Sequence, residues 1–155
     1  MKDLKKFFTE TLNSVWYMGF AFVFGLIAVL MMFAPAFYTT LARVVPATEV
    51  FFPSPSGLTQ GAWPAFVGYM LVVIGILGTG IIALPIVRPS AKTEKIVLVG
   101  AVICELVGLF LVAFIMQEYG GVNGGKVSGA YLKGGTISFI IFDVLTIAST
   151  SMAAL

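Results

Sequence analysis

Two acidic residues, Glu105 and Asp143, lie inside long apolar stretches of this sequence. A carboxylate in apolar surroundings must be neutralised by a proton, a cation or a basic partner. The pair therefore has two interpretations: a proton or cation site, or two protonated carboxyls hydrogen-bonded to neighbouring helices. The residues favour hydrogen bonding at Asp143 and leave the choice open at Glu105.

Hydroxyl side chains accompany Asp143 along its apolar stretch. Thr136, Thr146 and Thr150 stand seven, three and seven residues from it. Residues at such spacings share one face of a helix. The sequence therefore predicts a weak polar stripe, with Asp143 within it and no basic residue inside any apolar stretch to pair with either acid.

The composition indicates an integral membrane protein and excludes most catalytic machinery. Of the 155 residues, 59% are hydrophobic and 10% charged, whereas soluble domains carry about 25% charged residues. The chain has no His and one Cys, which excludes His-ligated metal sites and Ser–His or Cys–His nucleophiles. We expect no enzyme activity, no metal site and no cofactor, and a net charge of +2 gives no basis for nucleic-acid binding.

The apolar segments predict an all-α membrane protein, an antiparallel four-helix transmembrane bundle forming a single domain over residues 1–155. A membrane-spanning helix needs about 20 mostly apolar residues. A short amphipathic helix at the N-terminus is expected to lie in the membrane interface. Four segments qualify as spans, joined by outer loops 39–64 and 117–135 and a cytoplasmic loop 88–95: residues 15–38, 65–87, 96–116 and 136–155.

The distribution of basic residues predicts that both termini are cytoplasmic. Cytoplasmic loops carry an excess of Lys and Arg. Six basic residues fall on the side of the termini and three on the other, namely Lys2, Lys5, Lys6, Arg88, Lys92 and Lys95 against Arg43, Lys126 and Lys133.

Small residues within the spans predict close helix packing, because they let backbones approach in lipid. In the second span these are Gly68, Gly75 and Gly78. In the third span they form a four-residue repeat of Gly100, Cys104 and Gly108. Some of these contacts are expected within the chain and others with neighbouring subunits.

The first outer loop contains exposed aromatic candidates: Phe51, Phe52 and Trp63. An apolar island in a proline-rich loop usually finds some cover. One interpretation is a lid lying on the outer membrane surface. The other is a docking site for a neighbouring subunit, and the residues do not separate the two.

Residues 65–116 resemble the hairpin of rotary-ATPase proteolipids, especially the V-type rotor subunit with an extra N-terminal helix. A helix with Gly68, Gly75, Gly78 and Gly80 leads to a basic loop at 87–95 and then to a helix with CELVGLF at 104–110. The resemblance implies that Glu105 carries a proton and that Arg88 belongs to a cytoplasmic loop facing the stalk. V-type members continue with a second hairpin, whereas here one span follows.

Two functions are expected from these features. The first is a non-catalytic integral membrane subunit of a larger complex, contributing helix packing and assembly, with other membrane subunits and lipids as partners and a homo-oligomer as a further option. The alternative is a proton- or cation-translocating element that uses Glu105, with or without Asp143. An independent small-molecule transporter fits less well, because the sequence shows no internal repeats or broken helices. Binding of lipid, quinone or pigment between helices stays open.

Overall fold

The computed structural model describes residues 2–38, 44–46, 51, 61–84, 89–114, 131–132 and 134–155. Within these residues the chain forms four α-helices and three short β-strands. We number them in chain order: α1 Lys2–Met31, β1 Pro35–Tyr38, β2 Val44–Pro46, α2 Trp63–Ala83, α3 Ala91–Ala113, β3 Tyr131–Leu132 and α4 Gly134–Ala154.

The helices form a bundle in which α1 packs on α2 and α4, and α3 packs on the same two helices. Helices α2, α3 and α4 are each long and apolar enough to cross a membrane. The apolar part of α1 is shorter, at Val15–Met31. The chain is thus an all-α membrane bundle, as the sequence predicts.

The first helix differs from its prediction at both ends. The helix is continuous from Lys2 to Met31, so the amphipathic N-terminal segment and the first span are one element. It stops short of the predicted boundary, because residues 35–38 are a strand. Pro35 opens that strand, a position where its missing N–H costs no ladder hydrogen bond.

A small antiparallel sheet joins parts of the chain that lie far apart in sequence. Strand β1 is central, with β2 on one side and β3 on the other. Phe37 is paired with Val45 and also with Leu132. We call this end of the bundle the sheet end; α2 and α4 begin there, and α1 and α3 end there.

The opposite end of the bundle, which we call the Ser90 end, contains the connection from α2 to α3. Ser90 caps α3, because its side-chain oxygen accepts a hydrogen bond from the Thr93 backbone N–H at 3.2 Å. Such a cap stabilises a helix start by about 1 kcal/mol. The first turn of α3 contains Glu94, which complements the helix dipole there.

Large apolar side chains fill the half of the interior nearest the sheet end. Phe51 is buried and packs on Phe66 and Tyr69, with ring centroids 6.0 and 5.4 Å away. The Tyr69 hydroxyl donates to the Val29 carbonyl at 3.5 Å, which links α2 to α1. Val112 of α3 joins the same cluster.

Candidate functional site

Helix α3 turns Glu105 into the bundle. Its buried residues are Leu98, Ala101, Glu105, Gly108 and Val112. Their spacing alternates between three and four residues, which keeps them on one face because a helix has 3.6 residues per turn. Glu105 is 0% exposed, in the middle of that face.

Of the predicted repeat of Gly100, Cys104 and Gly108, only Gly108 packs against another helix of this chain, and contacts of the other two with a neighbouring subunit stay a prediction. Residues spaced strictly four apart are rotated by about 40° around the helix at each step, so they do not stay on one straight contact face. Only Gly108 of the three is buried. In the described part of the chain, a Cβ added at Gly100 meets no atom of another helix within 4 Å, and Cys104 is half-buried.

Glycines on α2 provide the space that α3 occupies. A Cβ at Gly68 would lie 2.8 Å from the Gly108 carbonyl oxygen, and one at Gly108 would lie 2.5 Å from the Gly68 carbonyl oxygen. At Gly75 a Cβ would lie 2.7 Å from Cγ of Glu105. Gly75 therefore makes room for the acid itself, whereas Gly78 makes an ordinary contact at 3.7 Å.

Helix α4 presents mostly polar residues to the interior. Its buried residues are Gly135, Thr136, Phe139, Asp143, Thr146 and Thr150. Asp143 is 0% exposed, as are Thr146 and Thr150. The stripe that the sequence indicates as weak is thus the buried face of α4.

Each acid lies near the middle of its own helix. With a rise of about 1.5 Å per residue, Glu105 is about 12 Å from the last residue of α3 and Asp143 about 14 Å from the first residue of α4. Both distances start at the sheet end, since α3 ends there and α4 begins there. Glu105 is within electrostatic range of Asp143 and lies beside the Thr150 hydroxyl.

Five buried oxygens at this site have no hydrogen-bond partner among the described residues. They are both carboxyl oxygens of Glu105, both of Asp143 and the hydroxyl oxygen of Thr150. Buried polar groups are nearly always hydrogen-bonded, so five together require an explanation. We call these three residues the acid cluster.

Two further hydroxyls near the acid cluster are already engaged as donors. Thr79 donates to the Gly75 carbonyl at 3.1 Å, and Thr146 donates to the Phe142 carbonyl at 2.8 Å. Both are bonds within one helix, so these protons are directed away from the carboxyls. The lone pairs of both hydroxyls remain able to accept.

The acid cluster can bind a positive charge. Two carboxylates in a low-dielectric interior repel each other, and each loses its hydration, so a proton or cation that neutralises them is strongly favoured. The atoms that could coordinate a cation here are all oxygens, which suit protons and hard cations. No group of three or more His, Cys, Asp and Glu that could hold a metal ion occurs among the described residues.

The aromatic residues of the first outer loop have different locations. Phe51 is 5% exposed and packs on Phe66 and Tyr69 of α2, so it is buried within this chain. The docking role of the loop stays a prediction. Trp63 is 70% exposed at the start of α2, and Phe52 lies outside the described residues.

Comparison of the chain with protein-family models, with curated proteins and with solved structures finds no match. The resemblance to proteolipids stays a prediction. Any assignment of function rests on the chemistry of the site.

Proposed function

We propose that this chain is an integral membrane protein that binds a proton or cation at Glu105 and Asp143 and passes it across part of the membrane. One observation supports this most strongly: both carboxyls are fully buried in the middle of the bundle without a hydrogen-bond partner in the described residues. Ionisable groups in such places usually mark ion or proton pathways.

The competing explanation is two structural acids, and the local hydrogen bonding argues against it. A structural acid is stabilised by donors and acceptors fixed around it. Here the Thr79 and Thr146 hydroxyls donate to carbonyls of their own helices. The Thr150 hydroxyl lies close to the Glu105 carboxyl, but the two do not form a hydrogen bond of ordinary geometry.

Proton and cation flux into sealed vesicles tests the proposal. Glu105→Gln keeps the size of the side chain but removes its charge, so we expect flux to fall at least tenfold with the fold intact. Glu94→Gln on the same helix is the matched control, because Glu94 lies in the first turn of α3, away from the acid cluster. Unchanged flux in Glu105→Gln would overturn the proposal.

A second candidate is a non-catalytic subunit of a larger membrane complex, and Gly100 favours it. Among the described residues, a Cβ added at this glycine would meet no atom of another helix within 4 Å. Small residues on an outer helix face let a second helix pack closely. A Gly100→Leu variant that folds but loses its co-purifying partners or its own oligomer would support this role; unchanged assembly would count against it.

A further inference from the structure

The surroundings of the acid cluster differ between the two ends of the bundle. Towards the sheet end, Phe139 lies one turn from Asp143 on the same face of α4 and is 0% exposed. Val112 lies two turns from Glu105 on α3 and is also 0% exposed. Both belong to one apolar cluster that includes Phe51, and such close-packed regions exclude water.

Towards the Ser90 end, buried hydroxyls continue from the acids. Thr146 and Thr150 follow Asp143 at one and two turns along α4, and Thr79 is buried on α2. The backbone of this half also carries small side chains at Ala21 and Ala101. Large apolar residues are present there as well, namely Met18 and Leu98, and Leu98 lies two turns from Glu105 just as Val112 does on the other side. The difference between the two ends is therefore a property of α4, where Phe139 lies on one side of Asp143 and Thr146 and Thr150 lie on the other.

The burial of the Thr150 hydroxyl indicates that water reaches the acid cluster at this residue. Its hydroxyl oxygen is buried, lies beside Glu105 and has no partner in the described residues. Water usually satisfies buried polar groups that the protein does not, provided several polar partners converge. The Glu105 carboxyl supplies further partners at the same place.

We infer that the acid cluster exchanges its ion with water through the Ser90 end only, by way of Thr150, and that the apolar cluster around Phe139 and Val112 closes the route from the sheet end. The charge bias predicts that the Ser90 end is cytoplasmic. The claim that a proton or cation uses this route rests on the proposed function. The route itself is inferred from the packing of side chains around the acid cluster.

Cysteine accessibility in sealed vesicles tests the route. Cys104, the one native cysteine, is first replaced by Ser, and single cysteines are then placed at Thr150 and at Val112. Silver ion in chloride-free buffer is the probe, because it is small and reacts with thiols. Protected thiols are counted by alkylation after unfolding.

Two exposed positions report which end faces the reagent. Ser90→Cys marks one end of the bundle and Gly134→Cys the other, since both residues are exposed and lie at opposite ends. We expect Thr150→Cys to react from the same side as Ser90→Cys, at least tenfold faster than Val112→Cys from either side. Circular dichroism spectra confirm that each variant is folded.

Three results would overturn the inference: Thr150→Cys reacting from the Gly134 side, failing to react from both sides, or reacting no faster than Val112→Cys. Flux is not read in this experiment. Normal Thr150→Cys labelling combined with unchanged flux in Glu105→Gln would therefore overturn the proposed function and leave the route intact.

Discussion

At the residue scale, the central feature is a buried acid that its own chain does not satisfy. Glu105 packs against Gly75 and lies beside Thr150, yet neither carboxyl oxygen has a hydrogen-bond partner in the described residues. In a structural role, the carboxyl would lose its hydration without gaining hydrogen bonds that offset the desolvation free energy. An ion-binding role explains why the carboxyl is there.

Replacement of Glu105 by Leu separates stability from ion binding. Removing an unsatisfied buried polar group while keeping its volume should raise the free energy of unfolding by about 1–3 kcal/mol. Thermal or denaturant unfolding in detergent measures this, with Glu94→Leu, at a half-buried acid in the first turn of α3, as the comparison. A marked loss of stability in Glu105→Leu would show that the carboxyl makes structural hydrogen bonds.

The two acids should also depend on each other. Glu105 lies within electrostatic range of Asp143, so the variants Glu105→Gln and Asp143→Asn are expected to be non-additive in ion binding. The double variant should lose little more than Glu105→Gln alone. Effects that simply add in a double-mutant cycle would place the acids in separate sites.

At the element scale, packing of α2 against α3 determines where Glu105 points. The contact depends on Gly68 and Gly108, whose backbones approach too closely for a side chain. Gly75 sits seven residues along α2 and opens the space that the Glu105 side chain fills. The position of the acid is thus a consequence of three glycines on two helices.

Two alanine substitutions on α3 test this packing. Gly108→Ala should lower the free energy of unfolding by about 1–3 kcal/mol, because the new Cβ overlaps the α2 backbone. Gly100→Ala should be neutral or stabilising by up to about 1 kcal/mol, since it adds helix propensity without a clash. Equal effects of the two substitutions would contradict the observed contact face.

Sequence patterns predicted the helices well and their contacts less well. Long apolar runs determine the helices because a membrane span needs that length. Within this chain, the contact face of α3 follows Ala101, Glu105 and Gly108, whose spacing matches the 3.6-residue period, whereas the spacing of the Gly–Cys–Gly repeat does not.

The sequence gives weaker signals for the sheet and for the burial of Phe51 than for the helices. Strands of two to four residues depend on partners far away in sequence, so local pattern cannot fix them. Phe51 is equally apolar whether it covers the chain's own core or a partner. The pairing of Glu105 with Asp143 was predictable only as a similar depth in two antiparallel helices.

At the scale of the whole molecule, four helices enclose a mostly apolar interior that contains a group of buried acids and hydroxyls near its middle. The sheet joins the connection after α1 to the chain just before α4, on the same side as the apolar cluster that includes Phe51. A bundle built in this way can bind an ion in its interior and exchange it at the opposite end. We propose that a complete path across the membrane needs a second element, which agrees with a role as one subunit of an assembly.

The most direct measurement is infrared difference spectroscopy of the purified chain during changes of pH and of Na⁺ concentration. We expect a carboxyl band that changes when the ion binds. This band should disappear in Glu105→Gln, be altered in Asp143→Asn and persist in Glu94→Gln. A spectrum with no carboxyl change at any condition in which the protein is folded would contradict this expectation and make both acids structural.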